Sequence, residues 1–351
     1  MKYKTPFLFI ALAVLLNIPA AQWTVGQNAG GGNASAKLLI PHESWNCGMP
    51  DGIPTPESGS LIFQIAMNFD KVLDVGKTPF GDRKAIVAQE GTLSGPKLTG
   101  IVMPGALDFE LKLSNGTIEV EQIFVLKTDD GKYIYVRNAG VGADSSDVRV
   151  VMDFEAPNAA PSAWLNSGKY VARRTVNVAA KTLTMRVYDV SSVSLPANPA
   201  NAMRINKPSD APSQPWDYRK PASSEKTGNP LISETVTLNP SQSVGMSKRG
   251  NRNIIPITGG SLSGRIPGKV LFGGADYQNL SGPPAIDARY LWQTNSGDII
   301  IVRNTGSGTL VPTFEVRVDS QYAYLNKGLF LSSPPGMKPG GVGITMFESI
   351  P

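Results

Sequence analysis

Polar and apolar positions alternate along residues 117–127 and again along 132–138, and both stretches are rich in β-branched and aromatic side chains. A period of two puts successive side chains on opposite faces of a strand. Asp129-Asp130-Gly131 between them is turn chemistry, so the pair predicts a hairpin. The pattern returns later as residues 285–293, the turn Asn295-Ser296-Gly297 and residues 298–304. Parity places Tyr133, Tyr135 and Arg137 on one face, opposite Ile134, Val136 and Asn138. In the later copy Ile299, Ile301 and Arg303 share a face, opposite Ile300, Val302 and Asn304. Both faces are apolar except at the strand's end. Such a strand is buried on two sides, by a barrel interior on one and by the other domain or a helix on the other.

The echo extends along the chain. Gly81-Asp82-Arg83 is answered by Gly250-Asn251-Arg252, and Gly91-Thr92-Leu93-Ser94-Gly95 by Gly260-Ser261-Leu262-Ser263-Gly264. Gly105-Ala106-Leu107-Asp108-Phe109 is answered by Gly273-Gly274-Ala275-Asp276-Tyr277, and Trp164-Leu165-Asn166 by Tyr324-Leu325-Asn326. Order is kept while the offset drifts from 169 (81 to 250) to 160 (164 to 324). That is the mark of a duplicated structural unit. A meander of hairpins must hide its edges, and closure into a barrel does so economically; a sandwich is the alternative. The expected fold is all-β: two tandem antiparallel, lipocalin-like barrels, residues 56–193 and 230–351. Residues 194–229 hold Pro196, Pro199, Pro208, Pro212, Pro215 and Pro221 and form a semi-extended linker, with Trp216 and Tyr218 as points of packing. Residues 22–55 are an N-terminal arm, Gly- and Ala-rich and expected to be mobile up to residue 40.

Composition agrees with short strands and many turns. The 351 residues include 36 Gly and 28 Pro, and charged residues are 17%, below the roughly 25% of an average soluble protein. Net charge is +5, but the cations occur at most as pairs, Arg173-Arg174 and Lys248-Arg249, and form no stripe for nucleic acid. Lys2 and Lys4 precede an apolar run over residues 7–16, and Ala20-Ala21 follow, which predicts a cleaved secretory signal over residues 1–21. The run is too short to span a bilayer, and no other segment is long and apolar enough. Glycosylation sequons begin at Asn33, Asn115 and Asn279. Cys47 is the lone cysteine, so no intrachain disulfide forms, and a buried, inert thiol is the plain reading.

The ordered set G-S/T-L-S-G, then G-A-x-D or G-G-A-D, then D-x-R-Y, then W/Y-L-N, resembles a small β-barrel family known as domain of unknown function 3237. Typical members are single domains; two would stand in tandem here, over roughly residues 61–190 and 231–348. The family's biochemistry is poorly defined, so the resemblance implies fold more than activity. The copies are not equivalent: Asp287-Ala288-Arg289-Tyr290 keeps the pattern, whereas the first copy has Glu121-Gln122-Ile123-Phe124. By architecture and leader alone, the chain also looks like fungal pathway enzymes that guide cyclisations, including hetero-Diels–Alder couplings of tropolone and terpene units; this is analogy at the level of the fold.

Candidate chemistry is bounded by what is scarce. His42 is the only histidine, and it lies outside both repeats, so a triad built on histidine has no member there. His42 and Cys47 are too few for a metal, and no Gly-rich phosphate or dinucleotide loop occurs. No cofactor is expected. The remaining set is Arg, Asp, Asn, Tyr and Trp around an apolar hollow. Arg137, Arg303 or Arg289 can hold a carbonyl, enolate or carboxylate by forked donation. Asp108 or Asp276 can move a proton. Asn166 and Asn326 can orient a hydroxyl, and Tyr135, Trp164, Trp292 and Tyr324 can stack on a conjugated ring. Each has a structural alternative: ion pairs for the arginines, turn caps for the aspartates, backbone bonds for the asparagines and core packing for the aromatics. The leading expectation is a cofactor-independent enzyme of small-molecule biosynthesis acting on a small hydrophobic, polyketide- or terpenoid-like substrate. Dehydration, isomerisation or cyclisation are the candidate reactions, and a hetero-Diels–Alder-type cyclase is the sharpest form. A secreted carrier of a lipophilic ligand and a structural surface protein are the alternatives. A carrier asks for a dry cavity, a structural protein for two filled barrels, and an enzyme for asymmetry between the copies with one pocket edged by polar groups.

Overall fold

The alternating stretches form the hairpins they predict. Ile118–Thr128 and Tyr133–Gly142 pair antiparallel, with Ile123 opposite Arg137, and Ala285–Thr294 pairs with Ile299–Ser307, with Arg289 opposite Arg303. The computed structural model describes residues 38–351 except 46, 196–201 and 210–218. The leader, Asn33, Trp216 and Tyr218 lie outside the described residues.

Each copy closes into an eight-stranded antiparallel barrel. The first runs Ser60–Lys77, Asp82–Ser94, Leu107–Lys112, Ile118–Thr128, Tyr133–Gly142, Val148–Met152, Tyr170–Asn177 and Thr182–Asp189, and the last pairs back onto the first. The second runs Lys226–Leu238, Gly250–Gly264, Ala275–Asn279, Ala285–Thr294, Ile299–Ser307, Thr309–Glu315, Phe330–Ser332 and Gly341–Ile350, and closes the same way. Closure removes the sheet edges that open meanders expose. Short 3-10 turns, Pro161–Asn166 and Ala323–Asn326, occupy equivalent places. Among the described residues no helix is long and apolar enough to cross a membrane.

Both barrels lie in one unit of the chain, Ser35–Pro351. The inward side chains form separate cores, with Phe63, Phe124 and Phe154 in the first barrel and Tyr290, Trp292 and Phe314 in the second. The outward face of the alternating strands is buried as well. Leu107, Phe109, Val125 and Tyr135 of barrel one pack with Ala275, Tyr277, Leu291 and Ile301 of barrel two. These are the equivalent positions of the two copies, so the barrels meet through the same face, as in a two-fold dimer. The cover over the strands' second side is therefore the sister domain. Gly273 and Gly274, at positive φ, bring the chains together. A Cβ on Gly273 would stand 2.3 Å from Val87 Cγ1, and Gly274 N–H donates to Gly105 O at 2.8 Å across the junction.

The arm differs from its expectation where it is described. Leu39–Ile40 is a short strand paired with Met203–Arg204, and Leu38, Leu39, Trp45 and Ile53 are buried. Their apolar side chains pin residues 38–40 on barrel one, which a Gly-rich composition before them does not foretell.

Candidate active site

Asp108 and Asp276 share one inward position, and the interiors of the two barrels differ in what surrounds it. In barrel one, Arg174 donates to both oxygens of Asp108, Nε to Oδ2 at 2.9 Å and Nη2 to Oδ1 at 2.6 Å, and also to Glu110. Gln122, the cross-strand neighbour, adds a bond of 2.6 Å. Asp108 is thus a fully occupied, neutralised carboxylate.

Barrel two has lost each of those partners. Counting on from Tyr324-Leu325-Asn326, the residue equivalent to Arg174 is Pro334, and the cross-strand neighbour of Asp276 is Ala288. The strand that carries Arg174 has eight residues, whereas its counterpart, Phe330–Ser332, has three. Pro334 and Pro335 cannot continue a ladder that needs their N–H groups. The loss of arginine, glutamine and strand length leaves a chamber of 150 Å³ lined chiefly by aliphatic side chains, among them Ile257, Ile286, Leu310 and Ile344.

Four polar side chains converge on this chamber: Asp276, Gln278, Tyr290 and Asn304. Gln278 Nε2 donates to Asp276 Oδ2 at 2.7 Å, and Oδ1 of Asp276 is buried without a hydrogen-bond partner. Burial raises its pKa to about 6, against the lesser pull of the Gln278 bond. Beneath the chamber, Tyr290 Oη donates to Glu234 Oε1 at 2.7 Å and Trp292 Nε1 to Oε2 at 3.0 Å. Glu234 is fully buried, and burial pushes its carboxyl up to about 7 although both bonds pull it down. Asn304 is occupied with Ser332.

Of the sequence candidates, Asp276 faces the chamber; Trp292 does not line it and is linked to it through Glu234, which it shares with Tyr290. The arginines do not come with them. Arg137, Arg289 and Arg303 occupy the outward faces, in an ion-pair network at the barrel junction. Arg289 pairs with Glu121 of barrel one and with Asp287 at 2.9 Å, Arg303 lies 3.8 Å from Glu121 and 3.5 Å from Glu315, and Arg83 donates to Glu315 at 2.7 Å. Burial pushes the Glu121 carboxyl up, but Arg289, Arg303 and Arg137 outweigh it and hold it below the usual range. The expectation of one cavity shared by these arginines and an aspartate is corrected: strand parity turns them to the opposite face.

The remaining candidates have local occupations. Tyr135 packs at the junction on Tyr277, ring centroids 5.4 Å apart. Asn166 and Asn326 each clamp a backbone residue ten positions earlier, accepting from the N–H and donating to the O of Ala156 and Val316. Trp164 packs edge-on against Tyr170, and Tyr324 is 43% exposed. Asn115 donates to Asn206 O at 2.6 Å and Asn279 to Arg249 O at 2.9 Å. Cys47 is buried, and burial pushes its thiol up. Among the described residues no three His, Cys, Asp or Glu side chains gather as a metal requires.

A larger cleft of 710 Å³ runs along the junction, lined by Tyr135, Arg137, Glu155, Arg252 and Asp287 among others. Its charges answer one another: Arg252 donates twice to Glu155, and Arg249 pairs with Asp153 and Glu155. It offers a mixed, solvated surface, whereas the smaller chamber isolates a titratable carboxyl in apolar walls, the setting that tunes catalytic groups.

Glu234 and Gln278 were not singled out from the sequence. Glu234 did carry a signal: it takes the inward position that Ile65 holds in the first copy, paired across the strands with Leu262 as Ile65 is with Leu93. A carboxyl replacing an isoleucine at an inward position marks a site; so does Tyr290 in place of Phe124.

A family model described as a protein of unknown function (DUF3237) matches residues 58–193 and 227–311, more than half of the chain. A UPF0311 protein of Rhodopseudomonas palustris (strain TIE-1) is 34% identical over 88 residues, 25% of this chain and 57% of that relative. The chain thus spans a little over half the length of this curated relative. Among solved structures, a β-barrel-like protein from Acinetobacter baumannii aligns with 21% identity over 37% of this chain and 94% of its own, at a TM-score of 0.34. An enzyme from Penicillium herquei aligns with 19% identity over 38% and 97%, at a TM-score of 0.29.

Proposed function

This chain belongs to the DUF3237 family, and on that premise we propose that its second barrel is a cofactor-independent enzyme of small-molecule biosynthesis. The reaction is a dehydration, isomerisation or cyclisation of a small hydrophobic substrate. One observation carries the reading: Asp276 stands at an apolar wall with Oδ1 unpaired and a pKa raised to about 6. A carboxyl with those properties can take and return protons near neutral pH.

The geometry supports a division of labour. Ionised Asp276 takes a proton from a substrate oxygen. Glu234, pushed up to about 7 by burial, can carry a proton near neutral pH. In that state it donates to Tyr290 Oη, whose own proton can turn into the chamber towards a departing hydroxyl. A substrate that loses one proton to Asp276 and a protonated hydroxyl at carbon has lost water, and the two carboxyls exchange protons with solvent afterwards. The sharpest form is a hetero-Diels–Alder-type cyclase, in which the dehydrated product is a quinone-methide-like diene seated in the chamber with its alkene partner at the mouth. That bond-forming step moves no proton, and orientation alone can supply up to about 7–11 kcal/mol. The carrier alternative asks for a dry cavity, and four convergent polar groups speak against it.

The test is a pair of reactions. 2-Hydroxybenzyl alcohol, which gives a quinone methide on loss of water, is incubated with ethyl vinyl ether and the full chain. The expected result is a faster and stereoselective cyclisation that falls by about 10²–10³ in the Asp276→Asn variant, the scale of a lost proton-transfer group. Unchanged rate and racemic product with the wild-type chain contradict the reading. By its leader the enzyme belongs to the secretory route, which recovery of a secreted chain lacking residues 1–21 would support.

A further inference from the structure

We propose that the second-barrel chamber admits a single neutral ring bearing a hydrogen-bond donor, such as a phenol, enol or alcohol, and turns away carboxylates and phosphates. This rests on the chamber being the active site and names its substrate class. Three observations on the chamber lead there.

The first is size. A protein cavity of about 150 Å³ with aliphatic walls accommodates one benzene-sized ring, and this chamber measures 150 Å³. A fused ring system enters only with its remainder outside.

The second is charge. Among the described residues no Lys, Arg or His lines the chamber, while Asp276 does. An anion placed there would lose its water and meet a carboxylate without a counter-ion, which is the costliest form of burial. The fold is able to supply a cation at this place, because Arg174 does so for Asp108 in the first barrel. Pro334 at the corresponding position removes it.

The third is polarity of a particular kind. Asp276 Oδ1 is a buried acceptor with no partner. Gln278 is used on both sides, donating to Asp276 and accepting from Asn253 Nδ2 at 2.9 Å. The Asn304 amide is turned to Ser332, and Tyr290 Oη to Glu234. Buried polar atoms are nearly always satisfied, so the group that completes this site is a donor. A ligand hydroxyl or enol supplies that donor directly, whereas a ligand without one leaves Oδ1 unsatisfied.

Three toluenes that differ only at the para position separate these terms on the full chain at pH 7.5: p-cresol, toluene itself and 4-methylbenzoate. Binding is followed by calorimetry and by the indole N–H resonance of Trp292, which is coupled to the chamber wall through Glu234 and Tyr290. p-Cresol is expected to bind about tenfold more tightly than toluene, the effect of one hydrogen bond to a carboxylate, and 4-methylbenzoate at least tenfold more weakly than p-cresol. In the Asp276→Leu variant p-cresol should fall to the level of toluene while toluene still binds, which shows that the chamber has kept its shape. Equal binding of 4-methylbenzoate and p-cresol, or p-cresol undiminished in the variant, overturns the substrate class and leaves the chamber standing. No binding of any probe by calorimetry overturns the chamber as a binding site altogether.

Discussion

Asp108 and Asp276 hold one position in a duplicated motif, and what faces them decides their chemistry. Arg174, Gln122 and Glu110 in the first barrel become Pro334, Ala288 and Gln278 in the second, so one carboxylate is tied down and the other is set in apolar walls. The repeated G-x-x-D pattern made both aspartates visible in the sequence. The change from Gln122 to Ala288 was visible too, but not that it faces the aspartate, and the decisive exchange, Arg174 for Pro334, comes from a strand more than 50 positions away. Glu234 adds a signature of its own in stability. Its folded pKa, about 7, exceeds the ordinary 4.5 through burial, so the native state binds this proton more tightly than the unfolded chain. The stabilisation is complete below pH 4.5 and is lost as pH rises through 7, amounting to about 3 kcal/mol. Urea unfolding at pH 5 and pH 8 should show this fall in the wild-type chain and a much smaller one in Glu234→Gln. An equal fall in both would refute the assignment.

At the scale of elements, alternation was the most legible feature. It placed the hairpins and forecast that their strands would be covered on both sides. It also sorted Arg137 and Arg303 away from Asn138 and Asn304. What alternation could not say was which face looks into the barrel, since both are apolar until the strand ends. The arginines therefore looked like site residues, whereas their strands turn them to the sister barrel. There, Glu121 bridges Arg289 and Arg303 from across the junction. Removing one partner of a buried ionic cluster leaves the others uncompensated, so Glu121→Ala should cost about 3–5 kcal/mol in denaturant unfolding. A loss under about 1 kcal/mol would show that the network is solvated. Element lengths were the least legible feature: Pro334-Pro335 shortens one strand of the second barrel and so opens the chamber, an effect visible only when the copies are superposed.

For the whole molecule, the duplication explains both the junction and the division of labour. Equivalent faces of the two barrels pack on one another, so the chain is built like a dimer made covalent. The junction shares an apolar cluster with residues from both copies, including Leu107, Phe109, Tyr277 and Leu291. Far-UV circular dichroism and tryptophan fluorescence should consequently report one coincident thermal transition; two separated transitions would mean that the barrels are independent. With barrel one supporting the shared wall, barrel two is free to carry a chamber whose strands 275–279, 285–294 and 299–307 alternate between junction and cavity. The central claim is that this chamber holds carboxyls poised for proton transfer near neutral pH. Its most direct test is a titration of the intact chain labelled with carboxyl-¹³C aspartate and glutamate, followed by NMR. The account predicts Asp276 titrating at about 6 and Glu234 at about 7, each assigned by its loss in Asp276→Asn or Glu234→Gln. If both titrate with the ordinary carboxylates, near 4, the account is contradicted.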